Sequence, residues 1–106
     1  MADTTIMLVC ASGMSTSLLV SKMKKAAEDK GVDAEIFAVS ASDADNNLAN
    51  KNIDVLMLGP QVKYMEKEFA GKLADSPTKL AVINMQDYGM MKGEKVLNEA
   101  LTMIGQ

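Results

Sequence analysis

The sequence predicts an α/β fold, a three-layer sandwich in which a four-stranded parallel sheet of order 2-1-3-4 carries helices on both faces. Two observations lead there. Strand-like and helix-like runs alternate along the chain, the pattern that right-handed crossovers between parallel strands produce. Residues 5–9 are apolar without polar alternation, which is how a central strand covered on both faces reads, and residues 53–58 are strongly apolar. With 106 residues and 48% hydrophobic content, the chain suits one domain over residues 1–106, with a core that needs neither disulfide nor metal.

Each element has its own signal. Residues 5–9 form the first strand, and a helix follows over about residues 16–30 with Leu19, Met23, Ala26 and Ala27 on one side and Gly31 as its C-terminal cap. Residues 34–39 are more polar and read as an edge strand. Ser40, Ser42 and Asp43 then offer caps for a short helix ending near Asn50. Gly59-Pro60 breaks the third strand, and Pro60 suits the first turn of a helix whose stripe is Val62, Met65, Phe69 and Leu73. Residues 80–83 give the fourth strand. Residues 84–89 read as a loop, and a last helix turns Leu97, Ala100, Leu101 and Ile104 inward. The reversal of winding between strands one and three places a switch point at the carboxyl end of strand one, where open α/β sheets bind ligands.

Composition removes several classes of function. The 11 basic residues are all lysine, histidine is absent, and there is one cysteine. An internal disulfide is impossible, no histidine and thiol set is available for a transition metal, and no bound cofactor is expected. A formal charge of -3 with 4% aromatic residues argues against a nucleic-acid partner, which calls for a basic face and stacking platforms. The opening residues lack a basic stretch and the apolar run after them is too short for a signal peptide or a membrane span. A cytoplasmic protein that does not itself span the membrane is expected.

The stretch that carries chemistry begins where strand one ends. Cys10 leaves the strand and is followed by Ala11, Ser12, Gly13, Met14, Ser15, Thr16 and Ser17, a small, hydroxylated loop running into a helix. Unpaired amides and the positive end of the helix dipole favour a negative sulfur. The same amides make a cradle for a tetrahedral oxyanion, which small residues allow to approach closely. Ser15 or Thr16 can cap the helix, and the hydroxyls of Ser12, Ser15, Thr16 and Ser17 can donate to phosphate oxygens. Covalent chemistry in this chain therefore points to Cys10 as nucleophile. The plainer alternative is a small buried hydrophobe at a strand end.

Residues 10–23, CASGMSTSLLVSKM, together with residues 58–65, LGPQVKYM, resemble the IIB component of the bacterial sugar phosphotransferase system, lactose/cellobiose (chitobiose) family, and its cellobiose-type branch in particular. The resemblance covers nearly the whole chain in length and element order. It implies a phosphocysteine carrier, a protein-phosphocysteine–sugar phosphotransferase. Cys10 would accept a phosphoryl group from a phosphohistidine of the IIA component and pass it to a disaccharide of cellobiose or chitobiose type held by the membrane IIC component. The segment from Ala11 to Ser17 would be the phosphate-binding loop. The architecture implied resembles that of the low-molecular-weight tyrosine phosphatases, whose related loop places an arginine six positions after the cysteine; here that position is Thr16. Without a charge-assisted bond worth about 1.5–3 kcal/mol, the phosphoryl group is held less tightly and is easier to hand on. A monomer that meets two partners in turn is expected.

Two other readings compete. A small cysteine-dependent phosphatase or arsenate-type reductase would need an acid for the leaving group, for which Asp87 is the candidate, although an aspartate there reads first as a solvated turn residue. A non-catalytic anion-binding module would make Cys10 structural. A receiver domain is disfavoured because strand three ends in Leu58-Gly59 rather than in an aspartate. Gln61 and Tyr88 are candidate rim or partner contacts on the same edge as Cys10; alternatively Gln61 faces water and Tyr88 covers the core. Lys63 reads as an exposed helix lysine, and Lys22, Lys24 and Lys25 as solvated surface. Met23, Met57, Met65 and Met103 read as core fillers, whereas Met14, Met90 and Met91 fall at the rim, where flexible apolar side chains suit docking.

Overall fold

The computed structural model describes residues 4–10 and 14–105, and of Met14 and Ser15 the backbone alone. The sheet has four strands, β1 (Thr4–Cys10), β2 (Ala34–Ser40), β3 (Val55–Leu58) and β4 (Lys79–Val82), in the order β2-β1-β3-β4. All three pairings are parallel, with Ile6 opposite both Ile36 and Val55, and Val55 opposite Lys79. The expected order is thus observed.

Strand alternation explains why β1 and β3 read as unbroken apolar runs. Ile6, Leu8, Val55 and Met57 enter one hydrophobic cluster, while Met7, Val9, Leu56 and Leu58 enter another on the opposite face. Burying an aliphatic side chain of this size contributes about 1.5–3 kcal/mol, so each central strand stabilises both layers. The first cluster is completed by α1 (Met14–Lys30), α5 (Gly93–Met103) and Tyr88, and the second by Ala44 of α2 (Ala41–Asn50), Val62, and Phe69 of α3 (Glu66–Lys72).

The two layers are attached differently. A Cβ on Gly93 would come within 2.6 Å of the Lys22 carbonyl carbon and 2.7 Å of the Met23 nitrogen, so α5 begins with its backbone directly against α1. On the other side Lys72 of α3 reaches Asp45 of α2 at 2.8 Å and Glu68 at 3.4 Å. The hydrogen bond to Asp45, above all, holds the Lys72 ammonium above its ordinary pKa.

Helix ends follow from local chemistry. Gly31, at φ +71°, lets Val32 N–H reach back to the Ala27 carbonyl at 2.9 Å while Gly31 N–H bonds Glu28, the glycine-closed C-terminus expected from sequence. Ser40 stands at the N-cap of α2 without capping it, and its hydroxyl instead bonds Asp43 at 3.1 Å.

Several expectations need correction. The first helix starts at Met14 rather than near Thr16. The helix expected from Pro60 opens as a 3-10 helix, Pro60–Met65, and kinks at Val62 before α3. Residues 84–89 are not a loop: α4 (Met85–Gly89) forms there because the Asn84 side chain accepts from Gln86 N–H at 2.8 Å and Asp87 N–H at 3.2 Å. Met23 and Met57 are fully buried, but Met65 and Met103 are only half-buried. Ile104 caps α5 instead of lying within it.

Candidate functional site

Cys10 is the last residue of β1, and by alternation its side chain falls on the side of Ile6 and Leu8, the face that α1 and α5 cover. It is buried, with 2% of its surface exposed. Its thiol points at the Val39 carbonyl, 3.8 Å away, and Ser40 is its partner in the register. From Cys10 the chain crosses to α1, whose 17 residues begin at Met14, so the cysteine and the helix N-terminus lie at the same edge of the sheet. Ala11, Ser12 and Gly13, expected in the phosphate-binding loop, lie outside the described residues, as do the side chains of Met14 and Ser15.

Gly59 forms the wall beside the cysteine. Its N–H donates to the Val9 carbonyl at 2.8 Å. A Cβ at this position would stand 3.7 Å from the Cys10 Cβ and 2.9 Å from the Gln61 Oε1. The glycine therefore keeps space between the end of β1 and the turn after β3, and the Gln61 side chain folds back over it. Sequence reasoning placed Gln61 on the rim but read Gly59 only as a strand breaker; the signal for its second role is its register beside the residue that follows Val9.

Thr16 and Tyr88 are brought together. The Thr16 hydroxyl is fully buried and lies 3.0 Å from the Tyr88 hydroxyl, a bond between residues 72 apart in sequence that ties the first turn of α1 to α4. Tyr88 was expected either at the site or over the core. Its ring packs in the first cluster, and its hydroxyl meets that of Thr16.

Asp87 is corrected. Instead of a solvated turn residue it is 2% exposed, its Oδ1 lies 3.2 Å from Lys95 Nζ, and its Oδ2 has no hydrogen-bond partner among the described residues. The N-terminal turn of α4 carries the side chain inward onto α5, which a loop reading could not anticipate. An acid held this way does not stand in water opposite Cys10, which weakens the phosphatase reading. Lys63 is exposed, as are Lys22, Lys24 and Lys25.

The segments that follow the strands also carry exposed apolar side chains. The large hydrophobic side chains that stay exposed among the described residues are Leu18 (53%), Tyr64 (81%), Met85 (73%) and Met90 (61%). Each lies on or directly after a segment that leaves the carboxyl end of β1, β3 or β4. Met91 departs from the rim reading, being half-buried against the first cluster with φ +54°. Among the described residues no group of three or more His, Cys, Asp or Glu could hold a metal ion.

The chain is an open, parallel α/β domain of the class whose ligands bind at the switch point of the sheet, the edge where Cys10 stands. The comparisons specify the class. Residues 5–99 match the family model "PTS system, Lactose/Cellobiose specific IIB subunit". The chain is 58% identical to a PTS system cellobiose-specific EIIB component of Lactococcus lactis subsp. lactis and 57% identical to a galactose-specific EIIB component of Lactococcus lactis subsp. cremoris, in each case over 94% of this chain and 95% of the relative. The structure of a lactose-specific IIB component domain from Streptococcus pneumoniae superposes with a TM-score of 0.82, covering 93% of this chain and 95% of that one, at 15% identity; that likeness speaks for the fold. The chain belongs to the lactose/cellobiose-specific IIB family of the sugar phosphotransferase system, a family of phosphotransferase components that work with IIA and IIC components.

Proposed function

We propose that this protein is a phosphoryl carrier in which Cys10 is the phosphorylated residue. The Cys10 sulfur attacks the phosphorus of a phosphohistidine on the IIA component; the S–P bond forms, the N–P bond breaks, and the released imidazole nitrogen keeps the electron pair and takes the thiol proton. In the second transfer a hydroxyl oxygen of a disaccharide held by the membrane IIC component attacks the same phosphorus. The S–P bond breaks, the sulfur leaves as thiolate, and the hydroxyl proton goes to a base. The amides and hydroxyls from Ala11 to Ser17 form the phosphate-binding loop, and Gln61 lies within reach of the cysteine's surroundings.

The observation that carries this reading is the position of Cys10 at the end of a central strand, beside the N-terminus of a 17-residue helix, in a chain with no histidine and no arginine. A helix N-terminus stabilises an anion through its free N–H groups and dipole. With no guanidinium in the chain the anion is bound by weaker donors, which favours onward transfer over retention. The exposed apolar side chains on the same edge supply docking contacts for two successive partners, whose encounters are small and short-lived. A monomer in the cytoplasm suits that traffic, and no helix of the described residues is long and apolar enough to cross a membrane. The sugar is of cellobiose or chitobiose type in this proposal. Nearly equal identity to cellobiose- and galactose-specific relatives leaves that choice to the IIC partner.

Incubation with a phosphorylated IIA donor, followed by mass spectrometry of the peptides, tests the assignment. The label is expected on Cys10 alone and absent from Cys10→Ser; label elsewhere, or labelling that survives the substitution, overturns it.

A further inference from the structure

Beyond the carboxyl ends of β3 and β4 the turn after β3, the start of α4 and the outer side of α5 border a notch of about 600 Å³. Pro60, Ile83 and Met85 give it apolar walls, and Lys63, Glu66 of α3 and Glu99 of α5 bring charge to it. The sheet fixes its place. Gly59 N–H ties the turn to the Val9 carbonyl at 2.8 Å, and Ile83 N–H ties the end of β4 to the Leu58 carbonyl at 2.8 Å. Pro60 directly follows Gly59, the glycine beside Cys10, so the notch lies on the edge of the sheet that carries the cysteine.

Its carboxylates are uncommitted. Glu35, Asp45, Glu68, Asp87 and Glu94 are each paired with a lysine, whereas Glu66 and Glu99 form no ion pair among the described residues. Lys63 shares the notch without pairing with either, and all three side chains are exposed. Two carboxylates against one ammonium leave the notch negative, in a chain whose formal charge is -3. A negative surface attracts a positive partner and repels a negative one. Membrane proteins carry an excess of Lys and Arg on their cytoplasmic loops, the side on which the carrier proposed above meets its IIC component. Apolar walls also suit the methylene stem of a long basic side chain whose head reaches a carboxylate. We propose that this notch docks a basic side chain on the cytoplasmic face of the IIC component and takes no part in binding the IIA component. The inference rests on the carrier reading and adds to it the surface that the second partner uses.

Two measurements on the same variants test it. One follows sugar phosphate formed by IIC membranes against the concentration of protein already phosphorylated on Cys10; the other follows labelling of Cys10 against the concentration of phosphorylated IIA donor. Glu66→Lys combined with Glu99→Lys is expected to raise the half-saturating carrier concentration at IIC about three- to tenfold, the span of one or two exposed ion pairs. The saturating rate and the labelling by IIA should stay at wild-type values. Lys63→Glu deepens the negative charge and should lower the half-saturating concentration at IIC about two- to threefold, a gain that a damaged fold cannot mimic. Added salt should shrink both differences. Unaltered half-saturation at IIC in the double variant overturns the inference, as does weaker binding by Lys63→Glu. An equal rise for IIA and IIC also overturns it, because the notch would then not belong to the second partner. Absence of label on Cys10 in the wild type overturns the carrier reading itself.

Discussion

At the amino end of the sheet polar groups close on one another, whereas at the carboxyl end apolar side chains stand in water. At the amino end Asp54 accepts the Thr5 N–H on its Oδ2 at 2.7 Å, donates its own N–H to the Thr5 carbonyl at 2.9 Å, and receives Lys79 N–H on its carbonyl at 2.9 Å. Thr78 adds a hydroxyl bond to the Ile53 carbonyl at 2.6 Å. One aspartate thereby stitches the start of β1 to the starts of β3 and β4. On the segments that leave the carboxyl end Leu18, Tyr64, Met85 and Met90 remain exposed, while Cys10 is buried. Apolar area left in water forgoes about 25 cal/mol per Å². A fold that seals one end and leaves the other uncovered places its stability and its contacts in different residues.

That division can be broken by substitution. The largest expected effect is at the sealed end. Asp54→Ala removes a hydrogen bond to a charged group and should cost about 1.5–3 kcal/mol of stability, read as a lower urea midpoint with unchanged slope. The fraction that remains folded should label at the wild-type rate; a slower rate per folded molecule would show that the two ends are coupled. A smaller effect is expected at the open end. Leu18→Glu or Met90→Glu should leave stability within about 0.5 kcal/mol and raise the half-saturating IIA concentration several-fold, as loss of an interface contact worth about 1 kcal/mol would. Unchanged saturation in both variants would mean that these side chains do not serve docking.

The sequence was most readable where burial is two-sided. Residues 6–9 and 55–58 carry apolar side chains to both faces, so their central place, and with it the 2-1-3-4 order, follows from composition along a few residues. The position of Cys10 was readable for the same reason, since a strand that ends before a hydroxylated loop and a helix has its last side chain at the switch point. What escaped depended on contacts distant in sequence. Nothing local marks Tyr88 as the partner of a hydroxyl 72 residues earlier. Asp87 sits in a polar run that reads as a turn, and only the Asn84 cap, by winding five residues into α4, turns its carboxylate onto Lys95. Gly59 and Gly93 punctuate the sequence alike, yet one spaces the cysteine from the turn after β3 and the other lets two helix backbones touch. Those roles belong to the neighbours, not to the glycines.

The central claim, that Cys10 passes a phosphoryl group on instead of releasing it to water, is tested most directly by a chase of the labelled protein. Protein carrying phosphate on Cys10, freed of donor, is mixed with membranes containing the IIC component and a β-disaccharide, and the label is followed into sugar phosphate and inorganic phosphate. The account predicts that sugar phosphate appears with the loss of phosphocysteine and that little inorganic phosphate forms whether or not membranes are present. Rapid release of inorganic phosphate from the protein alone would contradict it.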